Sequence, residues 1–306
     1  MTEISDLGLQ RILLAGFQQA DDAAAARQIQ IATGAESQRF SGLTGDPRRL
    51  LDADGVFARA TAFGTAADVA GSFLQIQEAA LGEVAGAASD LRAGLVRALA
   101  NGSGDFVALD AEISANRALS ALNASAGDRF AFGGVSGIGD APPVAAGDAG
   151  ELVATDPDDL FAASERALLP VAPGVDVDGG PTAAEAGDAL LGTLRSILAP
   201  PASIGAFDGP LTDAQRDFLV DAVDQVDAAF ANLNELQGRN GIAQAEAARA
   251  AELQAQQRDL AVIVAAEIES VDLAAAIAGL NQDRLAIEAS AQALATASQL
   301  SLLNFL

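Results

Sequence analysis

The chain has 306 residues, half of them apolar, and a formal net charge of -25. Such an acidic chain is a poor partner for nucleic acid or an anionic membrane, since both attract basic surfaces. It contains no His and no Cys, which excludes the usual zinc, haem, thiol and Ser-His sites. We therefore expect neither an enzyme nor a bound cofactor.

Three further features of the chain bear on its function. Residues 176–180 (DVDGG) could suggest a calcium loop, but the closing Glu of such a loop is missing, so a Gly-rich turn is the simpler interpretation. The first residues are acidic and no small-residue cleavage site follows, so we expect no cleavable signal peptide. Residues 289–306 carry no charge but hold seven polar side chains, too many for a membrane span of about 20 residues.

The first predicted element is a helix over residues 4–34. Its apolar face consists of Leu13, Phe17, Ala20, Ala24 and Ile31. Arg27 interrupts this face, and Gly34 marks the end of the helix. Few of these side chains are large, so the helix would be marginal alone.

The next segment has the clearest periodicity in the chain. Apolar residues recur at three- and four-residue steps from Ala53 to Ala98, and only Gln77 falls out of line. A pattern sustained over about six heptads predicts a coiled-coil seam. Residues 101–104 (NGSG) predict a turn.

A shorter helix is predicted at residues 107–123, running back along the first seam. Its apolar residues are Leu109, Ile113 and Leu122. Composition then changes: nine of the ten prolines lie between residues 142 and 210, and residues 136–212 hold twelve acids against two arginines. This predicts a loop-rich, solvated insert with two short helices, near 157–168 and 182–199, capped by Asp156 and Thr182.

Helix is predicted again from residue 212. Its seam consists of Leu219, Ala222, Val226, Ala229, Leu233, Leu236, Ala243, Ala247 and Ala250. The seam passes polar Asn240, and Gly238 and Gly241 are places for a kink or a close neighbour. The stripe is expected to continue through Leu253, Leu260, Val264, Ile268 and Val271.

The last predicted helix covers residues 272–306. Its apolar face consists of Leu273, Ile277, Leu280, Ile287, Ala291 and Leu294. The helix then enters an apolar end that includes Leu302, Leu303 and Phe305. Chain ends fray and large apolar patches associate, so this end is expected to need another surface.

Five short segments, in order along the chain, resemble the flagellin superfamily. They are ATG at 32–34 with GDP at 45–47, ALANG at 98–102, GDRFAFGG at 127–134, SVDLA at 270–274, and SLLNFL at 301–306. The GDP segment has Gly where the family pattern has Asp. The resemblance covers roughly residues 1–135 and 213–306 and leaves the middle unassigned.

The resemblance implies a mainly α protein, with a long antiparallel helical or coiled-coil rod formed by the N- and C-terminal regions and a small loop-rich central insert. Residues 1–40 plus 268–306 would form a terminal helical tube domain, 41–135 plus 213–267 a rod domain, and 136–212 a variable insert. The residues expected to mediate assembly are Leu13, Phe17, Ile31, Ile277, Leu280, Ile287, Leu294, Leu302, Leu303 and Phe305. The alternative role for such residues is an ordinary intramolecular bundle core.

The resemblance also implies a function in the bacterial flagellum. The short chain, small insert and SLLNFL ending favour the hook-associated type that joins hook to filament. A filament flagellin is one alternative, and a type III secreted tip or translocator-like coiled-coil protein is another. Expected partners are copies of the chain, other hook-associated proteins, flagellin, and the flagellar type III export apparatus with a chaperone. The expected location is extracellular, after export without a cleavable signal.

Overall fold

A computed structural model describes residues 2–36, 47–137, 141–162 and 164–303. Helices dominate these residues, which confirms the mainly α class: α1 (Thr2–Thr33), α2 (Pro47–Asn101), α3 (Val107–Leu122), α4 (Ala149–Ala154), α5 (Ala183–Leu198), α6 (Asp213–Glu269) and α7 (Leu273–Leu303). Two antiparallel hairpins join β1 (Ser125–Ala126) to β2 (Arg129–Phe130), and β3 (Leu168–Ala172) to β4 (Val175–Asp178). None of the described helices is both long and apolar enough to cross a membrane.

The chain divides into two compact units. The first unit consists of Met1–Ala58 and Gln257–Leu306, and the second of Arg59–Gln256. Residues 136–212, expected to be a separate insert, therefore lie within the second unit.

The predicted seam of α2 is confirmed in the second unit. Leu74, Leu81, Val84, Leu91 and Leu95 are all fully buried. Gln77, which breaks the apolar pattern, lies on the same buried face. Helical periodicity alone therefore determined which side of α2 turns inward.

Helix α3 lies antiparallel to α2, and ion pairs connect their exposed edges. Arg97 pairs with Asp110 at 3.2 Å, and Arg117 pairs with Glu83 at 2.8 Å and Asp90 at 2.7 Å. The prediction of an inward face with large side chains was wrong in part, because Leu109 and Ile113 are 50% and 58% exposed. The buried face of α3 combines the predicted Leu122 with Leu119 and with small residues, chiefly Ala111, Ala115 and Ala118.

Helix α6 buries the predicted seam from Leu219 to Ala250. Its expected continuation was partly wrong: Leu253 and Leu260 are more than half exposed, whereas Gln254 and Ala261 are buried. Nothing lies within 4 Å of the position that a Cβ would take at Gly238 or Gly241, so these glycines do not admit a close neighbour.

The middle of the chain carries more structure than its composition suggested. The predicted helix near 182–199 is confirmed as α5, which begins with a capping box in which Thr182 and Glu185 each bond the other's backbone amide. The helix expected near 157–168 is wrong: only a 3-10 turn, Pro157–Asp159, forms after the Asp156 cap. Helix α4 and the β3–β4 hairpin were not predicted.

The β3–β4 hairpin turns at residues 173–174 (Pro-Gly), where Gly174 has φ +73°. Alternating Val and Leu residues on both sides of a Pro-Gly pair were the signal that could have revealed it. Val171 and Val177 pack against buried alanines of α2 and α6. The DVDGG segment is therefore a strand end, and its Asp178 pairs with Arg166 at 2.9 Å.

The middle of the chain shares one hydrophobic core with the long helices. Leu152, Leu190, Leu191 and Leu194 are fully buried together with residues of α2, α3 and α6. Buried leucines therefore anchor the middle of the chain on the long helices, while its described acids lie mainly on the surface.

Candidate assembly interface

The first unit is built on the pairing of α1 with α7, which run antiparallel. Their junction is held by backbone hydrogen bonds from the Glu36 amide to the Glu269 carbonyl, 2.8 Å, and from the Val271 amide to the Gly34 carbonyl, 3.0 Å. Gly34 ends α1 with φ +71°, a left-handed conformation suited to glycine. The Asp272 carboxylate caps α7 by accepting the Ala275 amide at 3.0 Å. Both predicted terminal helices are thus positioned by local caps.

The predicted interface residues of α1 lie on its inner face. Leu13, Phe17 and Ile31 are half-buried, as is Ala20, and Ala24 is buried. The predicted apolar side of α1 therefore faces inward in the single chain, whereas the role of Leu13, Phe17 and Ile31 in assembly stays a prediction.

The predicted face of α7 is correct only in part. Leu280, Ile287 and Leu294 are half-buried, whereas Ile277 is 48% exposed and does not lie on the face that meets α1. The face of α7 that is turned inward instead includes Ala276, the residue before Ile277. It also includes Asp283, which lies one turn after Gly279. Leu302 and Leu303 belong to α7, but their side chains lie outside the described set, and Phe305 lies outside the described residues.

An ion pair explains why the inner stripe of α7 includes a charged residue. The Arg27 Nε donates to the Asp283 carboxylate at 2.6 Å, and Asp283 is the more buried partner. The arginine passes over Gly279, where an added Cβ would overlap its guanidinium. Arg27 thus does more than interrupt the apolar face: together with Gly279 and Asp283 it aligns the two helices.

The core between α1 and α7 is very small. Among the side chains described on these two helices, only Ala24 and Ala276 are buried, at 5% and 3% exposure. Several large apolar side chains point away from the pair and are about half exposed or more: Ile12, Leu14, Ile29, Leu273, Ile277 and Leu285. The helix pair therefore leaves more large apolar side chains exposed than it buries in its described part.

The described part of the first unit includes two cavities. One, of about 360 Å³, is an apolar groove lined mainly by Ala53, Val56, Leu260, Ala261 and Val264. The other, of about 550 Å³, lies at the α1–α7 junction and mixes charges of both signs, including those of Arg27, Arg49 and Asp272. No group of three or more acids in the described part of the chain is arranged to hold a metal ion.

Comparison with solved structures shows which known fold this chain shares. The chain is similar to a solved structure described as a "putative flagellar hook-associated protein from Vibrio parahaemolyticus", with a TM-score of 0.58 and 15% sequence identity. The match covers 72% of this chain and 96% of that one. At this identity the likeness shows a shared fold.

The sequence comparisons give no further assignment. No family model matches the chain, and no curated protein matches it. The exposed apolar side chains of α1 and α7 and the shared fold are therefore the observations from which function is argued.

Proposed function

We propose that this chain is a structural subunit of the bacterial flagellum that joins hook to filament and assembles through α1 and α7. The observation that carries the proposal is the contrast within this helix pair: two buried alanines between the helices and six large apolar side chains turned outward. Stacked subunits would bury those side chains against one another. The likeness to the hook-associated fold and the segments similar to the flagellin superfamily support the same conclusion.

The proposed partners follow from this role. The outer surface of α1 and α7 would meet copies of the chain, and the ends of the resulting ring would meet other hook-associated proteins and flagellin. Delivery would use the flagellar type III export apparatus, with a chaperone on the C-terminal helix, to an extracellular location. No nucleic acid or membrane insertion belongs to this role.

Electron microscopy of flagella carrying a labelled copy of this chain tests the location. Label confined to the hook–filament junction is the expected result. Label along the whole filament would instead identify a flagellin-type subunit, and no label on flagella would refute the flagellar role.

Deletion of residues 301–306 tests the part played by the C-terminal helix. We expect the truncated chain to keep the urea unfolding transition of its second unit but to be absent from assembled flagella. The control is the full-length chain carrying the same label. Normal incorporation of the truncated chain would contradict assembly through this helix.

A further inference from the structure

The pairing of α2 with α6 in the second unit depends on small, repeated side chains over part of its length. Ala67 and Ala70 of α2 are buried in the same cluster as Ala243, Ala247 and Ala250 of α6. Buried Ala60 and Ala67 of α2 are seven residues apart, as are Ala243 and Ala250 of α6, so sliding one helix by seven residues would again bring some small residues opposite small residues. Apolar packing alone therefore discriminates weakly between registers in this region.

Asn240 supplies a contact that only one register allows. It is 1% exposed, and its Nδ2 donates to the Leu74 carbonyl at 2.9 Å and to the Glu78 carboxylate at 2.8 Å. Gln244, one turn further along α6, also points its amide at the Leu74 carbonyl, at 3.4 Å. A slip of seven residues would move these donors about 10.5 Å along the helix axis and break all three bonds.

Gln77 connects the same level of α2 to the middle of the chain. It is fully buried, and its Nε2 donates to the Ala131 carbonyl at 2.8 Å and to the Pro181 carbonyl at 3.2 Å. Gly180, with φ +83°, leaves the space that the amide occupies, since an added Cβ would overlap the Gln77 oxygen. Rotation or sliding of α2 would therefore separate it from the segment that follows β2 and from the residues that lead into α5.

The two amides are not arranged for maximum stability. Gln77 Oε1 and Asn240 Oδ1 are buried, and neither accepts a hydrogen bond from any group in the described part of the chain. Buried polar groups that leave atoms unpaired cost stability, whereas a polar residue in a helical seam is an established way to select one register. We propose that Gln77 and Asn240 form a register lock, which selects the native alignment of α2 with α6 and docks the middle of the chain onto it.

Engineered disulfides can read the register directly, because the chain has no cysteine of its own. A Cβ added at Gly64 would lie 3.6 Å from the Gln254 Cβ, close to the Cβ separation of a disulfide. The pair Gly64→Cys with Gln254→Cys therefore reports the native register. The pair Gly64→Cys with Ala247→Cys reports a slip of seven residues, since position 247 lies about 10.5 Å further along α6 in the native register.

Each cysteine pair is introduced into the parent chain and into the double variant Gln77→Leu plus Asn240→Leu. All four proteins are then equilibrated in a glutathione buffer and their disulfide yields are compared. We expect the slipped pair to gain at least about tenfold in disulfide yield without the amides, while the native pair loses yield. A slip in the opposite direction would also lower the yield of the native pair. Asn234→Leu, an exposed site on α6, is the matched control and should change neither yield.

The proposal is overturned if removal of both amides leaves the two yields unchanged in a chain that remains helical by circular dichroism. If the double variant loses its helical signal, the disulfide yields of the same two cysteine pairs are measured in the single variant Asn240→Leu. That single variant keeps the Gln77 contacts to Ala131 and Pro181. Because none of these residues lies on α1 or α7, the outcome is independent of the proposed flagellar function.

Discussion

Replacing Leu285 by glutamine should weaken assembly without weakening the fold of the single chain. Leu285 lies on α7 and is 67% exposed. A fully buried leucine contributes about 1.5–3 kcal/mol, so the part still exposed represents about 1–2 kcal/mol that only a partner surface can supply. Glutamine keeps the length and nearly the helix propensity of leucine, so α7 itself should be unaffected.

The magnitude translates into a change of assembly threshold. At about 1.4 kcal/mol for each factor of ten, a loss of about 1–2 kcal/mol per contact raises the required subunit concentration about 5- to 30-fold. The assay is the concentration of free chain that remains after assembled material has been pelleted. Urea unfolding of the unassembled chain should give a free energy within about 0.5 kcal/mol of the parent.

The matched control is Leu109→Gln, which changes a 50% exposed leucine on α3 in the second unit. It should leave the assembly threshold unchanged. An unchanged threshold for Leu285→Gln would refute the assignment of assembly to the outer face of α7. An equal rise for both variants would show that the loss of any exposed leucine weakens association, wherever that leucine lies.

Three further predictions concern the single chain. Amides of α1 and α7 should exchange hydrogen before those of α3 and α5, because only two alanines are buried among the described side chains of the terminal helices; equal protection would contradict this. Leu194→Ala should lower the free energy of unfolding by about 2–5 kcal/mol in a urea titration, and a loss below about 1 kcal/mol would mean that the middle of the chain is only loosely attached. The pKa of Asp105 lies below its ordinary value because its carboxylate accepts hydrogen bonds from the Ser103 hydroxyl and the Gly209 amide. The contribution of these bonds is present above the unfolded pKa of about 3.9 and is lost as the pH falls through the lower folded-state pKa, so Asp105→Asn should flatten the acid limb of stability against pH; an unaltered acid limb would count against it.

The sequence by itself determined the long helices and most of their inward faces. In α2 and α6 the large apolar residues recur at helical spacing and polar residues separate them, so one face is defined before any partner is known. The end of α1 at Gly34 and the start of α5 at Thr182 were also readable, because caps act within a single turn of chain.

Tertiary structure alone decided the phase of α7. Apolar residues occur all around this helix, so periodicity allows more than one inward face. Ile277 was assigned to the inward face only because it is apolar and at helical spacing from its neighbours. The actual face is selected by Arg27, which reaches across Gly279 to Asp283 from 256 residues earlier in the chain. A pairing between residues so distant leaves no local signal in either helix.

The middle of the chain shows the same limit in a different form. Its prolines and acids indicated loops, yet the β3–β4 hairpin and α5 are ordered by contact with buried residues of α2 and α6. Gln77 looked like an irregularity in an apolar seam until its amide was seen to bond Ala131 and Pro181. Local spacing specifies which segments are helical, while the assignment of faces and the docking of short elements depend on side chains that meet only when the chain has folded.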